Sequence, residues 1–395
     1  MATINANESV VATETASLDS KTGMLMTVLS AGNLNSALAE AKTSGHGITE
    51  VTVSMPEAEG ADSYLAKLPA AVLNTKDPAV ISIETAIGTV AAPNNMLSRN
   101  DFGAGTVGIS IGTADPSGLD AEIKKQIADK PVIELKLTSG SSIVSWNNPD
   151  APVTVSIPYA PTKEELDHPE SIVVWYIDGS GNVVSIPSGH YDAETGTVTF
   201  QTTHFSEYAV AYNKVSFNDV PDTSWYSDAV NFIAARGITS GTSDGTYSPK
   251  AFLTRGEFIV LMMRAYDIKP DTDAADNFAD AGNTYYTGYL AAAKRLGISG
   301  GTGGNLFAPG KAVTRQEMFT MLYNTLKIIG ELPQATSGTS LSDFSDARQI
   351  ASWAKEAMKL LTESGIISGS SGKLAPANTT TRAEMTQVLY QLLAK

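Results

Sequence analysis

From residue 215 onward the chain repeats itself three times, and this limits the folds open to it more than any other feature. A Thr-Arg-x-Glu step recurs as Thr254-Arg255-Gly256-Glu257, Thr314-Arg315-Gln316-Glu317 and Thr381-Arg382-Ala383-Glu384. A Pro stands six residues before each Arg (Pro249, Pro309, Pro376), and a Gly-Ile pair begins seventeen or eighteen residues before it (Gly237-Ile238, Gly297-Ile298, Gly365-Ile366). Farther upstream, a Phe-x-Asp opener appears as Phe217-Asn218-Asp219, Phe278-Ala279-Asp280 and Phe344-Ser345-Asp346. Asp and Arg lie 36, 35 and 36 residues apart, so the register holds through the whole unit. Each unit has too little apolar surface to fold alone, so the copies must pack on one another.

Each copy reads as two helices. Ala229, Val230, Ile233 and Ala234 are spaced for one helix face, and Gly237 is placed to stop that helix in the left-handed conformation. A Gly- and Ser-rich loop follows, holding Gly241, Gly301 and Gly369 in the three copies, then Tyr247, Phe307 or Leu374 two residues before the Pro. The second helix starts at the Thr. Thr with Glu three residues later is a capping box, in which the hydroxyl and the carboxylate each take an orphan backbone N–H. On this reading Thr254, Glu257, Thr314, Glu317, Thr381 and Glu384 are structural, and Asp219, Asp280 and Asp346 belong to packing and helix entry. The Arg is different, because a cap does not require one.

Phe-x-Asp, helix, Gly-Ile, Gly-rich turn, Pro and Thr-Arg-x-Glu in this order resemble the S-layer homology domain, which occurs as three tandem copies, and residues 215–395 match all three. The resemblance implies an all-α pseudo-threefold module that binds secondary cell-wall polysaccharide, often through a pyruvylated sugar. It implies an exported protein held without a covalent bond on the wall or S-layer of a Gram-positive-type bacterium, with peptidoglycan-associated glycan and self-association in a surface layer as further contacts. Chemistry argues in the same direction. A guanidinium beside a helix N-terminus can grip a carboxylate in two places, which makes Arg255, Arg315 and Arg382 candidate anion receptors. Gly241, Gly301 and Gly369 would let backbone approach a sugar, and Trp225, Tyr286 and Trp353, each eight or nine residues after its Phe, could lie on the sugar's apolar face. Trp225 and Trp353 can equally be core residues of an amphipathic helix.

Upstream the pattern changes to short alternating stretches bounded by Gly, Pro and Asn. Strands are predicted at 24–29, 48–55, 79–84, 106–111, 132–137, 153–157, 172–177, 183–186, 198–200 and 208–212, with helices at 33–42 and 119–127. The expectation is a multidomain α+β chain. Residues 1–21 are disordered or extended, 22–213 form a β-sandwich-like surface domain, and 214–276, 277–335 and 336–395 are the three repeats of an all-α module. The acidity lies upstream: residues 1–214 hold 25 acidic and 11 basic side chains, residues 215–395 hold 17 and 16. A strongly acidic half argues against nucleic acid as its partner, while the near-neutral repeats can meet an anionic polymer without strong repulsion.

Thr203-His204-Phe205-Ser206-Glu207-Tyr208 gives the first half a resemblance to ZU5-like or GAIN-like β-domains, some of which cut their own backbone at His-Phe-Ser. Ser206 would attack the carbonyl of Phe205 with His204 as base, if the peptide were strained. The alternative places His204 and Phe205 in a strand and Ser206 at a turn. His46, His168 and His190 lie far apart in sequence, the chain has no Cys, and no metal or cofactor site emerges. Gly301-Thr302-Gly303-Gly304 lacks the strand and Lys of a phosphate loop, and Asp178-Gly179-Ser180-Gly181-Asn182 lacks the Glu of a calcium loop. An anchoring protein, not an enzyme, is the leading expectation, with self-processing or an accessory part of a wall-attached hydrolase as alternatives. No segment is apolar enough to span a bilayer, and the first 23 residues have neither a basic start nor an apolar middle, so an export signal is expected to have been removed, or Met1 to be an addition.

Overall fold

The computed structural model describes residues 1–7, 9–41, 49–99, 105–273 and 275–394, which divide into two units, Met1–Asn213 and Lys214–Lys395. Strand formation in the first unit follows from alternation. In Thr49–Ser54, Val51 and Val53 are buried while Thr, Glu and Ser point outward. The strands are β1 (Ala2–Ala6), β2 (Ser9–Glu14), β3 (Ala16–Asp19), β4 (Met24–Val28), β5 (Thr49–Ser54), β6 (Ser63–Pro69), β7 (Ala79–Glu84), β8 (Thr89–Pro93) and β9 (Thr106–Thr113). They continue as β10 (Val132–Ser139), β11 (Ser142–Val144), β12 (Val153–Pro158), β13 (Ile172–Ile177), β14 (Val183–Ile186), β15 (His190–Asp192), β16 (Thr197–Thr202) and β17 (Glu207–Tyr212).

One sheet runs β15-β16-β12-β8-β7-β5-β1-β2 and the other β14-β13-β17-β10-β9-β6-β4-β3, with β11 on β10. Both are mixed, since β5 pairs in parallel with β7 and β4 with β6. Ile4, Val53, Ile81 and Val155 from the first sheet and Leu25, Ile109, Leu135 and Val210 from the second belong to one buried apolar cluster. The helices of this unit are α1 (Ala31–Glu40), α2 (Ala121–Ile127) and α3 (Lys163–Asp167). Residues 1–21, expected to be disordered or extended, hold β1, β2 and β3 and enter both sheets.

The second unit contains α4 (Ser227–Ala235), α5 (Arg255–Ala265), α6 (Thr287–Leu296), α7 (Arg315–Ile329), α8 (Lys355–Glu363) and α9 (Arg382–Leu393). The second helix of each repeat packs on the first helix of the next: α5 on α6, α7 on α8, and α9 back on α4. Between the helices, single antiparallel bridges join Phe252 to Thr381, Thr254 to Ala312 and Thr314 to Thr379. The three residues at their centre form a closed cycle, Leu253 N–H donating to Thr380 C=O (2.9 Å), Thr380 N–H to Val313 (3.1 Å) and Val313 N–H to Leu253 (2.9 Å), all with 0 % exposure. None of the three bonds exists within one repeat.

These observations correct the expected fold class on two points. The first unit consists of two large mixed sheets, each with a parallel pair that alternation alone does not reveal, because pairing partners are set by crossovers and not by local pattern. The second unit is not all-α: extended bridges at Phe252–Thr254, Ala312–Thr314 and Thr379–Thr381 sit among its helices. The reason is the capping residue, which must leave helical geometry. Thr254, Thr314 and Thr381 are extended (φ −79°, −83° and −83°), so the segment before each helix is free to pair with its neighbour.

Candidate functional site

The Thr-Arg-x-Glu steps lie where the three repeats meet. Each Thr accepts from the N–H of its Glu through Oγ1 (3.2, 3.4 and 3.3 Å for Thr254, Thr314 and Thr381), and each Glu accepts from the Thr N–H through Oε2 at 2.8 Å. With the cap complete, the Arg side chain is directed across to the following repeat. Nε of Arg255 donates to Phe307 C=O (2.8 Å), that of Arg315 to Leu374 (2.8 Å), and that of Arg382 to Tyr247 (2.9 Å), which closes the cycle. The guanidinium also faces the next motif's Glu: Arg255–Glu317 at 2.9 Å, Arg382–Glu257 at 3.6 Å and Arg315–Glu384 at 3.9 Å. Burial pushes the Arg255 guanidinium below its ordinary value, a direction opposed by Glu317.

The Phe-x-Asp carboxylates have an equally specific position. Asp219 accepts from Tyr247 and Ser248 N–H (2.8 and 2.8 Å), Asp280 from Phe307 and Ala308 (2.8 and 2.7 Å), and Asp346 from Leu374 and Ala375 (2.9 and 2.7 Å). The second residue of each pair is non-glycine backbone at positive φ, 60°, 58° and 50°, so the carboxylate holds a turn that sterics disfavour. Burial would raise Asp280 and Asp346, but the N–H groups outweigh it and leave both below the ordinary carboxylate range.

Gly241, Gly301 and Gly369 stand in these same turns. A Cβ on Gly241 would collide with Thr246 C=O and come within 2.8 Å of the Phe217 ring; one on Gly301 would meet Leu306 C=O and Phe278 likewise, and one on Gly369 would stand 2.6 Å from Lys373 C=O and 2.7 Å from the Phe344 ring. The close backbone approach that these glycines permit is therefore made by the protein's own opener Phe.

Exposed aromatics recur at one place in every repeat. Trp225 is 64 % exposed, Tyr285 61 % and Trp353 56 %, each immediately before the residue that precedes α4, α6 or α8. Tyr286, singled out by its spacing from Phe278, is instead half-buried, and its ring lies 3.1 Å from where a Cβ on Gly256 would stand. Sequence spacing missed Tyr285 because it follows Phe278 by seven residues, against eight for Trp225 after Phe217 and nine for Trp353 after Phe344. The doublets Trp225-Tyr226 and Tyr285-Tyr286 carry the alignment that the spacing hides.

In the first unit His204, Phe205 and Ser206 lie at the bend between β16 and β17. Phe205 packs on Trp146 (ring centroids 4.8 Å), Tyr208 Oη donates to His204 C=O (2.5 Å), and Ser206 Oγ donates to Ile177 C=O at 3.4 Å. His168 faces Glu170 and His190 faces Ser188 C=O, while His46 lies outside the described residues. Among the described residues no three His, Cys, Asp or Glu groups could hold a metal together, and no helix is long and apolar enough to cross a membrane.

Comparison with known proteins meets this geometry. The S-layer homology domain is matched at residues 216–259, 277–319 and 343–386. An amylopullulanase of Thermoanaerobacterium thermosulfurigenes is 28 % identical over 330 residues, 83 % of this chain and 17 % of that protein. The S-layer protein sap of Bacillus anthracis is 32 % identical over 174 residues (44 % of this chain, 21 % of that protein), and the exoglucanase XynX of Acetivibrio thermocellus 31 % over 188 (47 % and 17 %). The chain thus spans about a fifth of the length of these relatives. From residue 216 to residue 386 the chain carries three tandem S-layer homology domains.

Proposed function

We propose that the repeat unit anchors this chain non-covalently to a bacterial cell wall by binding wall polysaccharide in the clefts between repeats. The observation that carries the reading is the placement of Trp225, Tyr285 and Trp353: large aromatics left in solvent at the same position of three otherwise tightly packed repeats. Aromatic faces suit the apolar faces of sugars, and isolated exposure of this size repeated three times lacks a packing reason. The finer ligand in this proposal is a secondary wall polysaccharide bearing a pyruvylated sugar, on a Gram-positive-type wall, and the first unit is the acidic module displayed. The test is co-sedimentation of the whole chain with protein-free sacculi before and after extraction of the polysaccharide. Sedimentation that survives extraction, or that is unchanged in the triple variant Trp225→Ala, Tyr285→Ala, Trp353→Ala, would overturn it.

A second reading is supported by the amylopullulanase similarity, whose 330 residues reach well beyond the repeats into the first unit. On that reading the first unit is an accessory module of a wall-attached glycoside hydrolase whose catalytic part lies elsewhere. Retardation of this chain in gels containing pullulan supports it, and unchanged mobility removes it.

A further inference from the structure

The three exposed aromatics stand at equivalent places but are not equivalently held. Trp225 is braced by the ring of the residue after it, Tyr226, at 5.2 Å between centroids, and Tyr285 by Tyr286 at 5.1 Å. Trp353 is followed by Ala354, which offers no ring. The short turns that carry the three close alike, Ser227 N–H donating to Ser224 C=O (3.0 Å), Thr287 to Thr284 (3.2 Å) and Lys355 to Ser352. They differ in how the chain enters them. In the first repeat Ser224 N–H donates to Pro221 C=O (2.9 Å), and in the second Thr284 N–H donates to Thr287 Oγ1 (2.9 Å), so both bonds stay within the repeat. In the third, Ala351 N–H donates to Oε1 of Gln316 (3.0 Å), a side chain of the preceding repeat.

Gln316 is the variable residue of its Thr-Arg-x-Glu step, and the other two copies have nothing equivalent to offer. Gly256 has no side chain, and a Cβ there would stand 3.1 Å from the Tyr286 ring; Ala383 has no polar side-chain atom. The backbone of Gln316 is itself fixed, its N–H donating to Pro376 C=O (3.0 Å) and its C=O accepting from Thr320 Oγ1 (2.7 Å), so the acceptor projects from an anchored point on α7. We propose that Gln316 is a positioning residue for the wall ligand: by taking the Ala351 N–H across the interface it sets the direction of Trp353, so that the aromatic of the third repeat is presented to sugar from the second. This rests on the reading that the exposed aromatics bind wall polysaccharide. A ring held in place before the sugar arrives loses less rotamer freedom on binding than one that turns freely. A neighbouring ring does this for Trp225 and Tyr285, and the Gln316 bond does it for Trp353. Trp353 is therefore in place only while the second and third repeats are docked.

The experiment is a double-mutant cycle read by binding of the whole chain to protein-free sacculi that retain their polysaccharide. Gln316→Ala is expected to weaken binding about three- to tenfold, the range that one backbone hydrogen bond can carry. Gln316→Glu, which keeps an acceptor at the same reach, restores wild-type binding. In a Trp353→Ala background Gln316→Ala has no further effect, because the group it positions is gone. Tyr323→Phe removes another bond of the same interface, from Tyr323 Oη to Glu356 Oε1 (2.6 Å), without touching the turn, and binds as wild type. Guanidinium titration establishes that each variant is folded. Wild-type binding by Gln316→Ala or by Trp353→Ala, absence of rescue by Gln316→Glu, the same loss with and without Trp353, or an equal loss in Tyr323→Phe each overturns the proposal. If the triple aromatic variant still fails to sediment in that case, the anchoring reading stands and only the role of Gln316 has failed; unchanged sedimentation of the triple variant removes the anchoring reading itself.

Discussion

Replacing Asp346 tests whether the opener carboxylate is what holds each repeat's turn. It is 6 % exposed, and its two oxygens accept from Leu374 N–H at 2.9 Å and Ala375 N–H at 2.7 Å, with Ala375 at φ 50°. Hydrogen bonds to a charged group contribute about 1.5–3 kcal/mol each, so Asp346→Ala is expected to cost about 3–6 kcal/mol. The strain of a non-glycine residue at positive φ, about 1–3 kcal/mol, is then left without its compensation. Asp346→Asn keeps one acceptor and is expected to cost about half as much. Against a total stability of about 5–15 kcal/mol for a domain, the Ala variant should lose a large part of its resistance to denaturant. The assay is guanidinium titration followed by helical ellipticity, a signal that comes mainly from the second unit. A wild-type midpoint for Asp346→Ala, or an Asn variant as unstable as Ala, would refute the assignment.

Thr380→Val is expected to stabilise the second unit by about 1–2 kcal/mol, because its Oγ1 is buried with no partner among the described residues, in the central cycle where Leu253 and Val313 are apolar; the denaturation midpoint reads it, and a fall would contradict it. Asp280, Asp346 and Glu317 titrate below their ordinary values in the folded chain, so the stability they contribute is present above about pH 4 and lost as pH falls through the lower folded values; acid titration of ellipticity should show the loss on that side only. Removal of the third repeat from Leu341 onward should make α4 rapidly cleavable in limited proteolysis, since its packing partner α9 is gone, and a protease-resistant two-repeat fragment would contradict this. With Ser206 Oγ directed to Ile177 C=O, the chain is expected to run as one full-length band after boiling in detergent, and two bands restored to one by Ser206→Ala would show self-cleavage.

Local chemistry was legible wherever it repeated. Five landmarks in register located the helix starts, because a capping box and a glycine stop act within a few residues. Strands rich in Val and Ile, such as Ala79–Glu84, Ile172–Ile177 and Val183–Ile186, fall where the sequence placed them. β6 escaped because Tyr64, Leu65 and Ala66 are all buried, so its two faces give no alternation, and β1–β3 escaped because Thr, Asn, Ser and Ala read as loop when no partner is known. The site was harder. Sequence chemistry could say that an Arg at a helix start can bind an anion, but not that Phe307 C=O, 52 residues away, accepts from it. Nor could it separate Tyr285 from Tyr286, since their different exposures depend on where Gly256 of the preceding repeat lies.

The arginines that the sequence offered as anion receptors are used for closure. Each interface between repeats is held by one arginine that reaches forward, and the last of them, Arg382, reaches back to Tyr247 across 135 residues of sequence. Arg255, 2.9 Å from the next motif's carboxylate, is the most closely paired of the three, and Arg315, at 3.9 Å, the least. The backbone bonds among Leu253, Val313 and Thr380 tie the same three interfaces together in one closed cycle, so the side-chain contacts are laid over a register that the backbone already fixes. Tyr247, Phe307 and Leu374 differ in side chain and yet accept from the arginine alike, because the accepting group is the backbone carbonyl, which every residue type supplies.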